Sequence, residues 1–228
     1  IKQIEQDPGS SPYFPKQEKG LRDSCILPYQ LYVHGEYQSK GDYLVTFETS
    51  DKIFGKQAAG APFTVYHAAS YKGEVGTSRN YAVAPGDHVT AHWPLAAFHN
   101  RMYHLQIHGP NGFYREFKGD ADNPHVKIRC TYEKSKNEAA FTGRLSFSCT
   151  NNGKTTEQLI FEDLSYGKEK RSLQLKGGQS ITIHFELAKQ NFWYDFSLTC
   201  SGFLNFEERY AGRVEIGNAG KSDPLLSR

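Results

Sequence analysis

The feature of this 228-residue sequence that most restricts its fold is an internal repeat. Residues 81–95 (YAVAPGDHVTAHWPL) align without a gap with residues 173–187 (LQLKGGQSITIHFEL). With one inserted residue in the first copy, the match continues in further pairs of segments: 102–108 over 193–199, 113–119 over 206–212 and, upstream, 43–52 over 144–153. The period of about 95 residues is too long for a solenoid unit, so each copy should be a domain with its own core.

Within each copy the apolar residues alternate with polar ones, which predicts strands with one buried face. Such same-face sets are Val89, Ala91 and Trp93, then Tyr103, Leu105 and Ile107, and in the second copy Ile181, Ile183 and Phe185, then Tyr194, Phe196 and Leu198. Turn signals recur at about the 8–12-residue spacing of a sandwich. We therefore predict an all-β protein with two tandem antiparallel β-sandwich, Ig-like domains of roughly seven strands each.

The domain boundaries follow from breaks in these patterns. Residues 1–24 are polar and rich in Pro and Gly, and the sequence starts at Ile1, so we interpret this stretch as a linker from an absent N-terminal domain. The first sandwich is assigned to 25–121 and the second to 122–218, because DADNP interrupts the pattern between them. Residues 219–228 are predicted to form a C-terminal tail.

Charge and hydropathy argue against nucleic-acid binding and against a membrane-spanning helix. With 27 Lys and Arg against 25 Asp and Glu, the formal net charge is +2, which predicts no binding to nucleic acid. The mean hydropathy is −0.64. Apolar runs stay well short of the ~18 residues of a membrane helix, so no transmembrane segment is expected.

The sequence also lacks the patterns of a catalytic or metal centre. Nine histidines invite a metal site, but His88, His92, His104 and His108 alternate with the apolar residues and should face solvent. The four cysteines lack the close CxxC spacing of a zinc site. Carboxylate pairs, a GxSxG elbow and phosphate-binding loops in a suitable context are missing as well. We predict no catalytic residue, no metal and no cofactor in this chain.

Two cysteines of the second copy are candidates for a disulfide. Cys149 shares a face with Leu145 and Phe147, and Cys200 shares one with Phe196 and Leu198. In an Ig-like topology these strand ends meet across the sandwich, which allows a Cys149–Cys200 bond. Two buried free thiols are the alternative.

Loops supply the candidate contact residues. HGPNGF (108–113) predicts a tight hairpin whose tip residues Pro110, Asn111 and Gly112 form a type I′ turn and are candidates for ligand contact. Aromatic residues at predicted loop ends are candidates for contact with a phospholipid surface: Phe98, Phe192 and Phe203.

Several segments resemble a known family. PKQEKGLRDSCILPYQLYVHG (15–35), RNYAVAPGD (79–87), HGPNGFYREFKG (108–119) and FEERYAGRVEIGNAGKSDP (206–224) are similar to the C-terminal region of the bacterial phosphocholine-preferring phospholipase C family. Glu208 departs from the arginine that the second copy of the family often carries. The resemblance covers nearly the whole chain.

The resemblance implies a function for the chain. In that family a pair of β domains follows a large hydrolase domain, which releases phosphocholine from phosphatidylcholine and, in some members, sphingomyelin, in the periplasm or outside the cell. This chain would then be a non-catalytic region that packs on the hydrolase domain of the same polypeptide and aids engagement of a phospholipid surface or of the substrate. The alternative is an independent lipid- or carbohydrate-binding β-sandwich module.

Overall fold

The computed structural model describes residues 20–38, 41–137 and 140–227, and in these ranges the chain is all-β. The described helical segments are short 3-10 turns: Gly55–Gln57, Leu95–Ala97, His99–Arg101, Ala188–Gln190 and Pro224–Ser227. None of them is long and apolar enough to cross a membrane. The predicted all-β fold is confirmed.

Each repeat contributes seven strands. A short strand, β1 (Asp23–Ser24), precedes the first repeat, whose strands are β2 (Leu31–Gln38), β3 (Asp42–Thr49), β4 (Ala61–His67), β5 (Ser78–Val83), β6 (His88–Pro94), β7 (Tyr103–His108) and β8 (Tyr114–Gly119). The second repeat has β9 (Val126–Lys134), β10 (Phe141–Asn151), β11 (Glu157–Asp163), β12 (Lys170–Leu175), β13 (Ser180–Glu186), β14 (Trp193–Cys200) and β15 (Glu207–Arg213), followed by β16 (Gly220–Lys221).

The two repeats have the same strand order. In the first, β2-β3-β6 form a three-stranded sheet and β8-β7-β4-β5 form the opposing layer; in the second, β9-β10-β13 oppose β15-β14-β11-β12. The last strands of the repeats, β8 and β15, pair antiparallel, with Glu116 opposite Arg209. This pairing joins the two opposing layers into one eight-stranded sheet. The β-sandwiches are therefore linked edge to edge, and each protects an edge strand of the other.

Aromatic rings fill the space between the layers of each sandwich. The ring of Phe47 in β3 lies 5.4 Å from that of Phe63 in β4, and the ring of Phe147 in β10 lies 5.2 Å from that of Phe161 in β11. The fully buried Trp93 and Phe185 occupy matching strands, β6 and β13. The alternation read from the sequence thus produces the inward faces, and these buried rings supply much of the hydrophobic stabilisation.

Polar side chains lie buried where the two repeats meet. Arg115 of β8 is 1% exposed, and its guanidinium donates to the carbonyl oxygens of Tyr114 and Ala211 and to the hydroxyl of Tyr194. The equivalent position of the second repeat is Glu208, which is also buried and accepts a hydrogen bond from the Tyr210 hydroxyl. The hydrogen bonds from Arg115 therefore tie the first repeat to the second.

The ends of the described chain also meet. Strand β1 pairs with β16, and Lys221 contacts Asp23 at 2.5 Å. Within the predicted C-terminal tail, Gly220 and Lys221 are therefore paired with Ser24 and Asp23, just before the first sandwich. Of the segment 1–24 assigned as a linker, residues 1–19 lie outside the described residues.

Candidate functional site

The predicted lipid contact of Phe98 is wrong. Phe98 is 4% exposed and lies in the core, with its ring centroid 4.8 Å from that of Tyr71 and 6.3 Å from that of Trp93. The 3-10 turn before it folds the ring back over the end of β6. Phe98 therefore stabilises the first sandwich and does not reach the surface.

Phe192 and Phe203 lie at opposite ends of β14, and both are partly buried against the core. The ring of Phe192 lies over Gly143, where no side chain would fit. At about 3.3 Å per residue, β14 separates the two rings by about 23 Å. The two phenylalanines therefore lie at different ends of the sheet, and Phe203 is the one next to the fully exposed Leu204.

Three exposed apolar side chains lie at the end of the sheet that carries Phe203. Leu204 is 100% exposed in the turn between β14 and β15, Val75 is 70% exposed before β5, and Met102 is 40% exposed before β7. The antiparallel pairing of neighbouring strands in the order β15-β8-β7-β4-β5 brings these connections to the same end of the sheet. We call this end of the sheet, defined by Val75, Met102, Phe203 and Leu204, the Leu204 end. A cavity of about 330 Å³ opens there between Met102 and Leu204.

The sequence analysis missed Leu204, although a signal was present. The segment GFLNFEE follows the last buried residues of β14, with Gly202 at φ 92° starting the turn. Phe203 and Phe206 both turn toward the core, and Phe206 is 6% exposed. Because Phe203 and Phe206 fold inward, the two residues between them, Leu204 and Asn205, are left in solvent.

The tip of the 108–113 hairpin has the predicted turn geometry. Asn111 and Gly112 have φ values of 56° and 71°, and the Phe113 amide donates to the Pro110 carbonyl oxygen. The tip is packed against the second repeat: Asn111 Nδ2 donates to Glu215 Oε1 at 2.6 Å, and Gly112 lies against the Trp193 ring. These contacts give the tip a structural role, and ligand contact there stays a prediction.

Of the two alternatives for Cys149 and Cys200, the structure has the two buried free thiols and not the disulfide. They lie on strands of the two opposing sheets, Cys149 on β10 and Cys200 on β14. The Cys200 sulfur lies 3.7 Å from Glu157 Oε2 instead. Burial raises the pKa of each thiol to about 12, so both are unreactive.

Outward-facing histidines do not converge on a metal. His88 and His92 are exposed on β6, as the alternation predicts. His104 on β7 contacts Glu116 Oε1 at 2.5 Å, and Lys118 and Tyr114 contact the same carboxylate. These partners hold the pKa of Glu116 at about 2 against the opposing effect of burial. Among residues 20–38, 41–137 and 140–227, no cluster of three or more His, Cys, Asp or Glu side chains is arranged to hold a metal ion.

A second concave site lies at the opposite end of β14 and was not predicted. It is a groove of about 430 Å³ between the 108–113 hairpin, the start of β14, the end of β15 and the segment around Asp223. Its lining includes the aromatic residues Tyr114, Tyr166 and Trp193 and the charged residues Asp195 and Arg209. We call it the Trp193 groove. Its lining residues come from both repeats, so the sequence pattern of either repeat alone could not predict it.

Comparison with known proteins assigns the chain to a family. The profile described as "Bacterial phospholipase C, C-terminal domain" matches twice, over residues 24–120 and 124–213, once on each repeat. This chain belongs to that family. Together the two matches cover nearly all of both seven-stranded units.

Relatives of known name carry this C-terminal domain pair as part of a longer protein. A non-hemolytic phospholipase C of Pseudomonas aeruginosa is 33% identical over 98% of this chain and 31% of its own length. A non-hemolytic phospholipase C of Burkholderia pseudomallei is 29% identical over 96% of the chain and 30% of its own length. A hemolytic phospholipase C of P. aeruginosa is 29% identical, with 93% of the chain covered. The chain thus spans about a third of these relatives and corresponds to a C-terminal, non-catalytic region of a phospholipase C.

Likeness to solved structures is weak. Red sea bream transglutaminase is similar over 78% of this chain and 29% of its own, with 10% sequence identity and a TM-score of 0.26. That score is too low to indicate a common fold.

Proposed function

We propose that this chain is the accessory C-terminal region of a secreted phospholipase C that releases phosphocholine from phosphatidylcholine or sphingomyelin. In this proposal it packs on the hydrolase domain of the same polypeptide and contacts the phospholipid surface through the Leu204 end. The observation that carries the lipid contact is the complete exposure of Leu204, at the end of the sheet where Met102 and Val75 are also exposed.

Apolar exposure of this kind favours a lipid interface. Single exposed apolar residues are ordinary on protein surfaces, but several at one edge mark an interaction site. Leu204 projects from a tight turn, so it can enter the acyl boundary without any strand having to move. Full transfer of one such side chain out of water contributes about 1.5–3 kcal/mol. Two or three side chains together support weak, reversible attachment.

Electrostatics set the salt dependence of this attachment. The formal net charge of +2 gives little long-range attraction to a lipid surface, and phosphatidylcholine itself is zwitterionic. Because the contact depends on apolar burial, it should be nearly insensitive to salt. A polybasic contact would instead weaken as salt screens it.

The test is co-sedimentation of the 228-residue chain with phosphatidylcholine vesicles at low and high salt. Leu204→Ala should weaken binding about tenfold, since most of one buried leucine is lost. Leu164→Ala is the matched control, because Leu164 is a 45% exposed leucine whose amide donates to the Asp195 carbonyl oxygen near the start of β14, at the opposite end of the strand from Leu204. Binding that salt abolishes, or that both substitutions lower equally, would contradict the proposed contact.

A further inference from the structure

The Trp193 groove lies at the far end of the sheet from the Leu204 end. It opens where β14 begins and β15 ends, whereas Leu204 lies where β14 ends and β15 begins. The length of β14 places the two sites about 23 Å apart. A ligand of the groove is therefore independent of lipid contact at Leu204.

Aromatic side chains form the walls of this groove. Trp193, Tyr166 and Tyr114 line it, and all three are half-buried. The guanidinium carbon of Arg209 lies 5.5 Å from the Tyr114 ring centroid. The negative face of an aromatic ring attracts cations, and the chain's own Arg209 already makes one such contact here. The rings of Trp193 and Tyr166 offer the same chemistry to a ligand.

The charges of the lining do not cancel. Arg209 donates from Nε and Nη2 to the two carboxylate oxygens of Asp195 at 2.7 and 2.8 Å, and Ser165 donates to the same carboxylate at 2.5 Å. Asp223 lines the same groove and accepts hydrogen bonds on Oδ1 from the Tyr166 hydroxyl at 3.0 Å and the Leu225 amide at 2.9 Å.

The lining therefore has one guanidinium, that of Arg209, and two carboxylates, those of Asp195 and Asp223. The Arg209 guanidinium is paired with Asp195. Burial lowers the pKa of His108, the histidine of the lining, so its imidazole stays neutral at pH 7. Burial and the nearby Asp223 raise the pKa of Tyr166, which stays protonated and keeps donating to Asp223. The lining carries a net negative charge, located at Asp223.

We propose that the Trp193 groove binds an organic cation of the trimethylammonium class, with its methyl groups against Trp193 and Tyr166 and its charge facing Asp223. Such a cation is bulky and apolar on its outside, which suits rings, and it needs no hydrogen-bond acceptors. A bare metal ion would need several oxygen ligands, and an anion would meet Asp223. Since the groove is about 23 Å from the Leu204 end, its ligand is a soluble cation rather than a headgroup still held in a contacted membrane.

The direct test is a fluorescence titration of the 228-residue chain with choline at constant ionic strength. The chain has two tryptophans, and Trp93 is fully buried in the first sandwich, so a change in emission reports on Trp193. We expect a saturable change with a dissociation constant on the order of 1 mM, as suits so small a ligand. The comparison ligand is 3,3-dimethylbutan-1-ol, which has the shape of choline without its charge, and it should bind about tenfold more weakly.

Single substitutions test whether choline binds in the Trp193 groove. Asp223→Asn keeps an oxygen acceptor for Tyr166 and should weaken choline binding about tenfold. Asp122→Asn is the matched control, because Asp122 is exposed on the turn between the repeats and far from the groove lining. Leu204→Ala should leave choline binding unchanged, and Asp223→Asn should leave vesicle binding unchanged, so this proposal and the lipid proposal fail separately.

Three results would overturn the assignment of the groove. They are the absence of a saturable change with choline, equal binding of the neutral alcohol, and undiminished binding in Asp223→Asn that keeps the wild-type near-UV circular dichroism. The comparison of choline with the alcohol uses the wild-type chain, so it decides the question even if Asp223→Asn does not fold.

Discussion

Glu208 should make the stability of this protein fall as the pH rises from about 4.5 to about 7. Its side chain points inward from β15, in the polar contact between the two repeats, and is 5% exposed. Burial raises the pKa of this carboxyl from 4.5 to about 7, while the Tyr210 hydroxyl and Arg129 oppose that effect only in part. The folded chain therefore holds a neutral carboxylic acid where the unfolded chain holds a carboxylate.

The size of the effect follows from linkage between proton binding and folding. The unfolded chain releases this proton near pH 4.5 and the folded chain keeps it until about pH 7, so raising the pH through this window favours unfolding. At about 1.4 kcal/mol per pH unit, the loss reaches about 3 kcal/mol at the top of the window. Below pH 4.5 the carboxyl is protonated in both states and the contribution is fully retained.

The perturbation is Glu208→Gln, which cannot ionise and keeps an acceptor for the Tyr210 hydroxyl. Urea unfolding of both proteins should be followed by tryptophan fluorescence and far-UV circular dichroism at several pH values from 4.5 to 7.5. The free energies of unfolding should be similar at pH 4.5, and the variant should be about 3 kcal/mol more stable at pH 7.5. The low pKa of Glu116 acts in both proteins and cancels in the difference.

A constant difference between the two proteins across this pH range would refute the reasoning. It would mean that the carboxyl of Glu208 ionises alike in the folded and the unfolded chain. The two spectroscopic probes should also give coincident transitions, because the shared eight-stranded sheet couples the repeats.

Two further predictions concern the cysteines and the hydrolase domain. All four cysteines should react with a thiol reagent in denaturant, and a reducing agent should leave the Tm unchanged. Fewer than four reactive thiols, together with a lower Tm after reduction, would show that the folded chain contains a disulfide. If the chain packs on a hydrolase domain, the parent polypeptide produced in two parts, separated before Gly20, should co-purify as a complex, and elution as two independent species would contradict that packing.

The sequence by itself determined the all-β class, the duplication and the inward faces of the strands. A period of two assigns residues such as Trp93, Tyr103 and Phe147 to the core, because successive side chains of a strand point to opposite faces. Local chemistry likewise determined the turn at Asn111 and Gly112, since positive φ at both positions suits this residue pair. These features depend on residues that are neighbours along the chain.

The tertiary structure alone decided how the two repeats are joined and where the surface sites lie. The pairing of β8 with β15 uses backbone groups that every edge strand offers, so no residue pattern specifies it. Whether a loop residue is exposed depends on what folds over it: Phe98 is covered by the end of its own sandwich, whereas Leu204 is left in solvent. The Trp193 groove brings Tyr114, Tyr166 and Asp223 together from segments far apart in sequence, and only the packed sheet places them around one space.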